Sequence, residues 1–176
     1  MKESASPPPA RRRWLIGLYT GVTFLYWASL YLYLPTLSTY AQLKTGSLAL
    51  VGTILAQYGL WQALVRLPLG IVADWLGRRK PFIVAGLLLS GLGAYLMATA
   101  GGAGGLLVGR AVTGLAAAAW VPLTVVFSSL FPADQTVRAT SILNVVGSLG
   151  RVLATAATGT LNDAGGFALA FYLALG

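Results

Sequence analysis

Three arginines, Arg66, Arg110 and Arg151, lie inside long apolar stretches of this sequence. Each would cost about 2.5–3.5 kcal/mol at the centre of a lone membrane helix, so these side chains should face protein or a water-filled cavity. The same stretches contain no Asp or Glu. The arginines therefore indicate either binding of an organic anion, or pairing with backbone carbonyls or with carboxylates elsewhere in the molecule.

Polar and aromatic side chains recur at the spacing of one helix face in the same stretches. They are Tyr58, Gln62 and Arg66 in the second stretch, Asn144, Ser148, Arg151, Thr155, Thr158 and Asn162 in the fifth, and Thr20, Thr23, Trp27 and Tyr31 in the first. Residues three or four positions apart share a helix face. The pattern predicts a polar path surrounded by spans one, two, four and five, with the third outside. The alternatives are interhelical packing for the stripes, an interfacial aromatic belt for Trp27 and Tyr31, and snorkelling for Arg66.

The composition narrows the class of protein. The 176 residues are 57% hydrophobic and 9% charged, with a mean hydropathy of +0.76, whereas a soluble domain averages about 25% charged residues. The net charge of +8 comes from basic residues that alternate with membrane-length apolar stretches, which argues against a nucleic-acid partner. The chain has no Cys and no His. We therefore expect no enzyme, no metal site and no cofactor.

The polar residues are carried by stretches long enough to cross a bilayer, which takes about 20 helical residues. The expected spans are 14–34, 48–72, 82–100, 106–130, 140–161 and an incomplete one at 167–176. Pro35–Ser47 is expected to be a loop, and residues 1–13, with three consecutive prolines, a disordered tail. The predicted fold class is an all-α polytopic membrane protein, with a bundle over residues 14–176.

The turn between the second and third spans concentrates charge in an otherwise apolar region. Its notable residues are Gly70, Asp74, Gly77, Arg78, Arg79 and Lys80. Gly77 can end the preceding helix in a left-handed turn. Small residues in the fourth span, Gly105, Gly109 and Gly114, are typical of close helix crossings.

Loop charges predict the orientation of the spans. One membrane side carries the eight basic residues Lys2, Arg11, Arg12, Arg13, Arg78, Arg79, Lys80 and Arg138, and the other carries Lys44 alone. Because positive loops stay in the cytoplasm, we expect a multi-pass protein of the plasma or inner membrane with a cytoplasmic N-terminus.

Two motifs resemble those of the major facilitator superfamily. Gly70-xxx-Asp74-xx-Gly77-Arg78-Arg79-Lys80 is similar to that family's loop between helices two and three, and Gly109-Arg110 followed by Gly114 resembles its fourth-helix motif. Two positions depart from the family pattern. Trp75 stands where the family usually has arginine after its aspartate, and Ala154-Thr155 stands where the drug–proton antiporter branch has Gly-Pro.

The resemblance implies a secondary transporter of twelve helices in two halves that rock around a midplane site. This chain resembles the N-terminal half, with the sixth helix incomplete, so the partners implied are a small solute, the lipid bilayer and a missing C-terminal half. It also implies a conformational latch, in which Asp74 faces a helix N-terminus of the other half. Arg78 would pair with Asp134.

The expected activity is alternating-access transport of an organic anion or drug-like solute, driven by a proton or ion gradient. The alternative is a half-length membrane protein that either acts as a non-transporting partner or assembles with a second copy.

Overall fold

A computed structural model describes residues 8–175, which fold into seven α-helices joined by short turns. The helices are α1 (Pro9–Tyr33), α2 (Leu37–Thr45), α3 (Leu48–Trp75), α4 (Lys80–Ala98), α5 (Ala103–Ala117), α6 (Trp120–Ser128) and α7 (Thr136–Leu173). Single 3-10 turns lie at Leu34–Thr36 and Ala133–Gln135. Helix α7 contains a kink at Gly166, whose φ of 69° lies in the left-handed region that glycine adopts without strain.

Five helical segments among the described residues are long and apolar enough to cross a membrane. They are Ala10–Thr45, Leu48–Trp75, Lys80–Ala98, Ala103–Ser128 and Ala133–Leu173. The predicted all-α, multi-pass class is therefore confirmed. The count of six spans stays a prediction, because the segment after Gly166 is too short within residues 8–175 to cross a bilayer.

The first span is longer at both ends than the sequence suggested. Helix α1 begins at Pro9, so Arg11–Arg13 are helical and not part of a disordered tail; residues 1–7 lie outside the described residues. Proline suits a first helical turn because the amide it lacks would have no partner there. Most of the expected loop Pro35–Ser47 is also helical, as α2. A helix there places Leu37, Tyr40 and Ala41 on one buried face. Gly46, with φ 65°, ends that helix.

The fourth span is two helices and not one continuous rod. Helix α5 ends at Ala117 and α6 begins at Trp120, with tight turns at Ala118 and Ala119. Pro122 accounts for the break, since proline has no amide to donate and its ring clashes with the carbonyl four residues earlier. The break places Trp120 at the start of α6.

Close helix contacts rest on glycines. A methyl group at Gly114 of α5 would lie 2.6 Å from the Tyr58 carbonyl oxygen of α3, and one at Gly93 of α4 would lie 2.9 Å from the Gly109 carbonyl oxygen. Helix α5 is thus pressed against both α3 and α4. The Gly105 position is tight against Ala100 in the turn that precedes α5.

The exposed face of α4 is apolar, with Val84, Leu88 and Leu92 at helical spacing. Such a face suits contact with lipid. The opposite face carries Gly86 and Gly93, which pack on the fourth span. Helix α4 therefore packs on the fourth span through a glycine-containing face and leaves an apolar face exposed.

Candidate functional site

Arg151 lies on an aromatic shelf formed by α1. Its guanidinium carbon is 4.5 Å from the ring centroid of Trp27 and 5.9 Å from that of Tyr31. Its Nη2 donates a hydrogen bond of 2.9 Å to the Ser148 hydroxyl one turn earlier on α7. The side chain is only partly buried. A guanidinium stacked on an aromatic face keeps its edge free for in-plane hydrogen bonds, the geometry that suits a carboxylate.

Two glycines of α7 make room for this shelf. A methyl group at Gly147 would lie 2.7 Å from Cδ1 of Trp27, and one at Gly150 would lie 2.7 Å from the Phe24 carbonyl oxygen. The backbones of α1 and α7 therefore approach as closely as they can at this level. Trp27 is thereby held between α7 and Trp120, and the Trp27 and Trp120 rings meet edge to face with their centroids 5.5 Å apart.

The predicted polar stripe of α7 is exposed at Asn144, Ser148 and Thr155 and half-buried at Arg151. Its last two residues pack on the first span, where Thr158 donates to the Tyr31 carbonyl at 3.3 Å and Asn162 Nδ2 donates to Thr36 Oγ1 at 2.9 Å. The stripe borders the buried face through which α7 packs on α1, and the remaining exposed face is apolar, with Val145, Leu149, Val152 and Leu153. Helix α7 thus presents a polar and an apolar exposed face side by side.

Arg110 is placed differently from Arg151. It is only 4% exposed, and its guanidinium carbon lies 4.5 Å from the centroid of the Tyr58 ring. Its Nε and Nη1 have no hydrogen-bond acceptor among residues 8–175. Of the two surroundings expected for Arg110, protein or a water-filled cavity, the structure shows protein, because α1, α3 and α5 close around it.

Two buried polar groups near Arg110, Tyr33 and Thr113, were not singled out from the sequence. Each is at most 2% exposed, and Tyr33 stacks on Phe171 at 4.6 Å. Thr113 donates to the carbonyl of Arg110 itself. Thr113 lies three residues after Arg110 and so shares its face, which is the signal that could have identified it.

The polar stripe of α3 is divided between two environments. Tyr58 lies against Arg110, whereas Arg66 is exposed and Gln62 is half-buried. Trp61 and Gln57, not singled out from the sequence, are linked by a hydrogen bond of 3.0 Å. The structure therefore does not gather Arg66, Arg110 and Arg151 into one site.

The charged turn after α3 forms a local ion pair. Asp74 Oδ1 accepts from Arg79 Nη2 at 2.6 Å and from Arg79 Nε at 3.2 Å. This is the one salt bridge found between residues 8 and 175, so the expected pairing of Arg78 with Asp134 does not form. Gly77 adopts φ 59°, as a left-handed helix end requires.

Gly70 makes only ordinary contact, since a methyl group there would lie 3.9 Å from Val121. That spacing gives no reason for glycine within residues 8–175. No close helix approach at Gly70 is therefore made by the part of the chain that the structure describes.

Comparison with known proteins agrees with this architecture. The family model described as Major Facilitator Superfamily matches residues 19–176. The chain is 35% identical over 115 residues, or 65% of its length, to the inner membrane transport protein YajR of Escherichia coli, of which the match covers 24%. It is 28% identical over 141 residues, or 80% of its length, to an uncharacterized transporter of Buchnera aphidicola subsp. Schizaphis graminum, of which the match covers 36%.

The chain thus spans well under half the length of these relatives. The family match, by contrast, covers nearly all of the bundle, from Tyr19 in α1 to the end of the sequence. The chain belongs to the major facilitator superfamily.

Proposed function

We propose that this chain forms the N-terminal half of a secondary transporter that moves a small solute by alternating access. Its family, its five membrane-length segments and the transporter names of its relatives support this proposal. In such transporters two halves enclose a site near the midplane and rock to open it to either side. The exposed polar face of α7 would then line the aqueous path to that site, opposite the second half. The basic residues at one end of the bundle favour a cytoplasmic N-terminus.

The substrate class that Arg151 favours is an organic anion with a flat aromatic or otherwise apolar body. Arg151 is the intramembrane arginine that is both accessible and held in place, by Trp27, Tyr31 and Ser148. No carboxylate among residues 8–175 pairs with it. A substrate carboxylate would accept hydrogen bonds from the guanidinium edge, and its apolar body would pack on the neighbouring aromatic rings.

The energy source would be a proton or ion gradient, and the titrating group would come from outside the described spans. Asp74, Asp134 and Asp163 are all exposed; Asp74 and Asp134 lie at the ends of membrane-length segments, and Asp163 lies three residues before the kink at Gly166. A carboxylate there is poorly placed to take up a proton in step with a substrate bound near Arg151.

Binding of benzoate, compared with its neutral analogue benzamide, tests the substrate class. Calorimetry on the purified protein in detergent is expected to detect benzoate and not benzamide. Arg151→Gln should weaken benzoate binding about tenfold or more, as expected for the loss of a charge-assisted hydrogen bond. Arg138→Gln removes the same charge at an exposed position and should leave binding unchanged. Equal binding of benzamide, or equal losses in both variants, would refute the anion site.

Uptake by proteoliposomes tests transport itself. The complete product of the gene is expected to accumulate benzoate when a pH or sodium gradient is imposed, and to lose accumulation when the gradient is collapsed. Uptake by the 176-residue chain alone would favour the alternative in which the half assembles with a second copy. Absence of uptake by the complete product, with binding intact, would contradict the transporter proposal.

A further inference from the structure

A basic groove opens beside the turn between α3 and α4, away from the polar face of α7. Its volume is about 470 Å³, and it is lined by Gly77, Arg78, Arg79, Lys80, Pro81 and Val126. The turn joins two membrane-length helices, so the groove lies where the chain emerges from the bilayer. Arg151 and the aromatic shelf do not line it.

The charges of this groove are unequally compensated. Arg79 is paired with Asp74, at 2.6 Å. Arg78 and Lys80 are exposed and form no ion pair with any residue between 8 and 175. The groove therefore holds two positive charges in excess.

Asp74 fixes the position of Arg79 in the groove. Its two hydrogen bonds hold the Arg79 side chain at the end of α3, and Arg79 lies in sequence between Arg78 and Lys80, which are unpaired within residues 8–175. The groove also includes the N-terminus of α4, whose first residue is Lys80 and which has no side-chain cap. The positive end of the helix dipole adds to the attraction for an anion there.

The apolar side of the groove distinguishes a lipid from a soluble anion. Val126 belongs to α6, inside the fourth membrane-length segment, and packs against an apolar cluster with Phe127 and Ile83. Val125, its neighbour on α6, is 40% exposed. A ligand that fills the groove thus meets basic groups at the membrane surface and apolar side chains on the bilayer side, as a phospholipid does.

We propose that this groove binds the phosphate of an anionic phospholipid, with Arg78 and Lys80 contacting the headgroup and an acyl chain lying along Val126. Basic pockets of this kind on the surface of membrane bundles recognise anionic headgroups. The site is independent of the substrate proposed above, because it shares no residue with the surroundings of Arg151.

Retention of phosphatidylglycerol by the purified protein tests the proposal. Native mass spectrometry in detergent, at rising phosphatidylglycerol, should show one tightly held molecule. The Arg78→Gln/Lys80→Gln variant should bind it more weakly by about tenfold or more, since it loses direct charge-assisted hydrogen bonds to the phosphate. The matched control, Arg11→Gln/Arg13→Gln, removes the same charge from exposed positions on α1 at the same end of the bundle and should change the affinity less than about threefold. Equal losses in the two variants would overturn the site in favour of diffuse surface attraction.

A variant that keeps every charge but blocks the groove distinguishes lipid binding in the groove from general electrostatic attraction. Val126→Trp should fill the apolar side and lower phosphatidylglycerol retention about tenfold or more, while circular dichroism confirms that the helices remain. Competition by glycerol 3-phosphate at millimolar concentration distinguishes the sources of phosphate, and we expect none. Displacement of the lipid by glycerol 3-phosphate, or full retention in a folded Val126→Trp variant, would contradict a lipid site.

Discussion

The contact between α1 and α7 gives the sharpest stability prediction, because it depends on a backbone atom that cannot rotate away. A methyl group at Gly150 would lie 2.7 Å from the Phe24 carbonyl oxygen and 3.3 Å from the Ala28 nitrogen. Gly159 lies further along the same helix, and a methyl group added there would have nothing within 4 Å. Gly150→Ala and Gly159→Ala therefore make the same chemical change in one helix, with and without a close neighbour.

The expected change in the free energy of unfolding follows from two opposing effects. Replacing glycine by alanine favours a helix by about 1 kcal/mol, and overpacking a close contact costs about 1–3 kcal/mol. We expect Gly159→Ala to raise the free energy of unfolding by up to about 1 kcal/mol, from helix propensity alone. Gly150→Ala should fall below it by about 1–3 kcal/mol, the overpacking cost.

Unfolding in mixed micelles of increasing sodium dodecyl sulfate, followed by circular dichroism, measures both variants against the unmodified protein. Gly147→Ala adds a second comparison, since the atom that it meets, Cδ1 of Trp27, belongs to a side chain that can turn. It should cost less stability than Gly150→Ala and yet displace Trp27 from Arg151, which tryptophan fluorescence would report. Equal stability of Gly150→Ala and Gly159→Ala would refute the close backbone contact.

Two charged residues at the basic end give further predictions. Asp74→Asn breaks the ion pair with Arg79, and by resemblance to the family's latch it should lower the maximal uptake rate several-fold with KM within about twofold; a raised KM at an unchanged rate would contradict the latch. Arg12→Gln removes the hydrogen bond that Arg12 Nε donates to the Leu130 carbonyl, and should destabilise the protein by about 1.5 kcal/mol in the same unfolding assay, because the donor is charged. The exposed Arg13→Gln is the control of equal charge, and an equal loss there would show that the hydrogen bond contributes nothing.

The membrane class and the approximate spans could be predicted from the sequence because they depend on hydropathy summed over about 20 residues. The helical ends could not. Residues 37–45 were expected to be a loop, because in so short a segment the polar residues mask the helical spacing of Leu37, Tyr40 and Ala41. The aromatic contact that buries Tyr40 is made by Phe171, more than 100 residues away in the sequence, and local patterns do not indicate it.

The polar stripe of α7 was predictable because one helix carries it, and helical spacing fixes which side chains share a face. The different burial of Arg110 and Arg151 was not predictable, because both lie within apolar spans. The packing of α1, α3 and α5 buries Arg110, whereas the packing of α7 on α1 leaves Arg151 accessible. The contact of Trp27 with Trp120 likewise depends on the break that Pro122 makes in the fourth span.

Thiol accessibility along α7 tests most directly the central claim that its polar face lines an aqueous path. The chain has no cysteine, so single substitutions can be read without background. Ser148→Cys and Thr155→Cys, in the membrane-embedded protein, are expected to react with a charged, membrane-impermeant thiol reagent, whereas Leu149→Cys and Val152→Cys on the apolar exposed face are not. Faster labelling of the two apolar positions, or no difference between the faces, would contradict the claim.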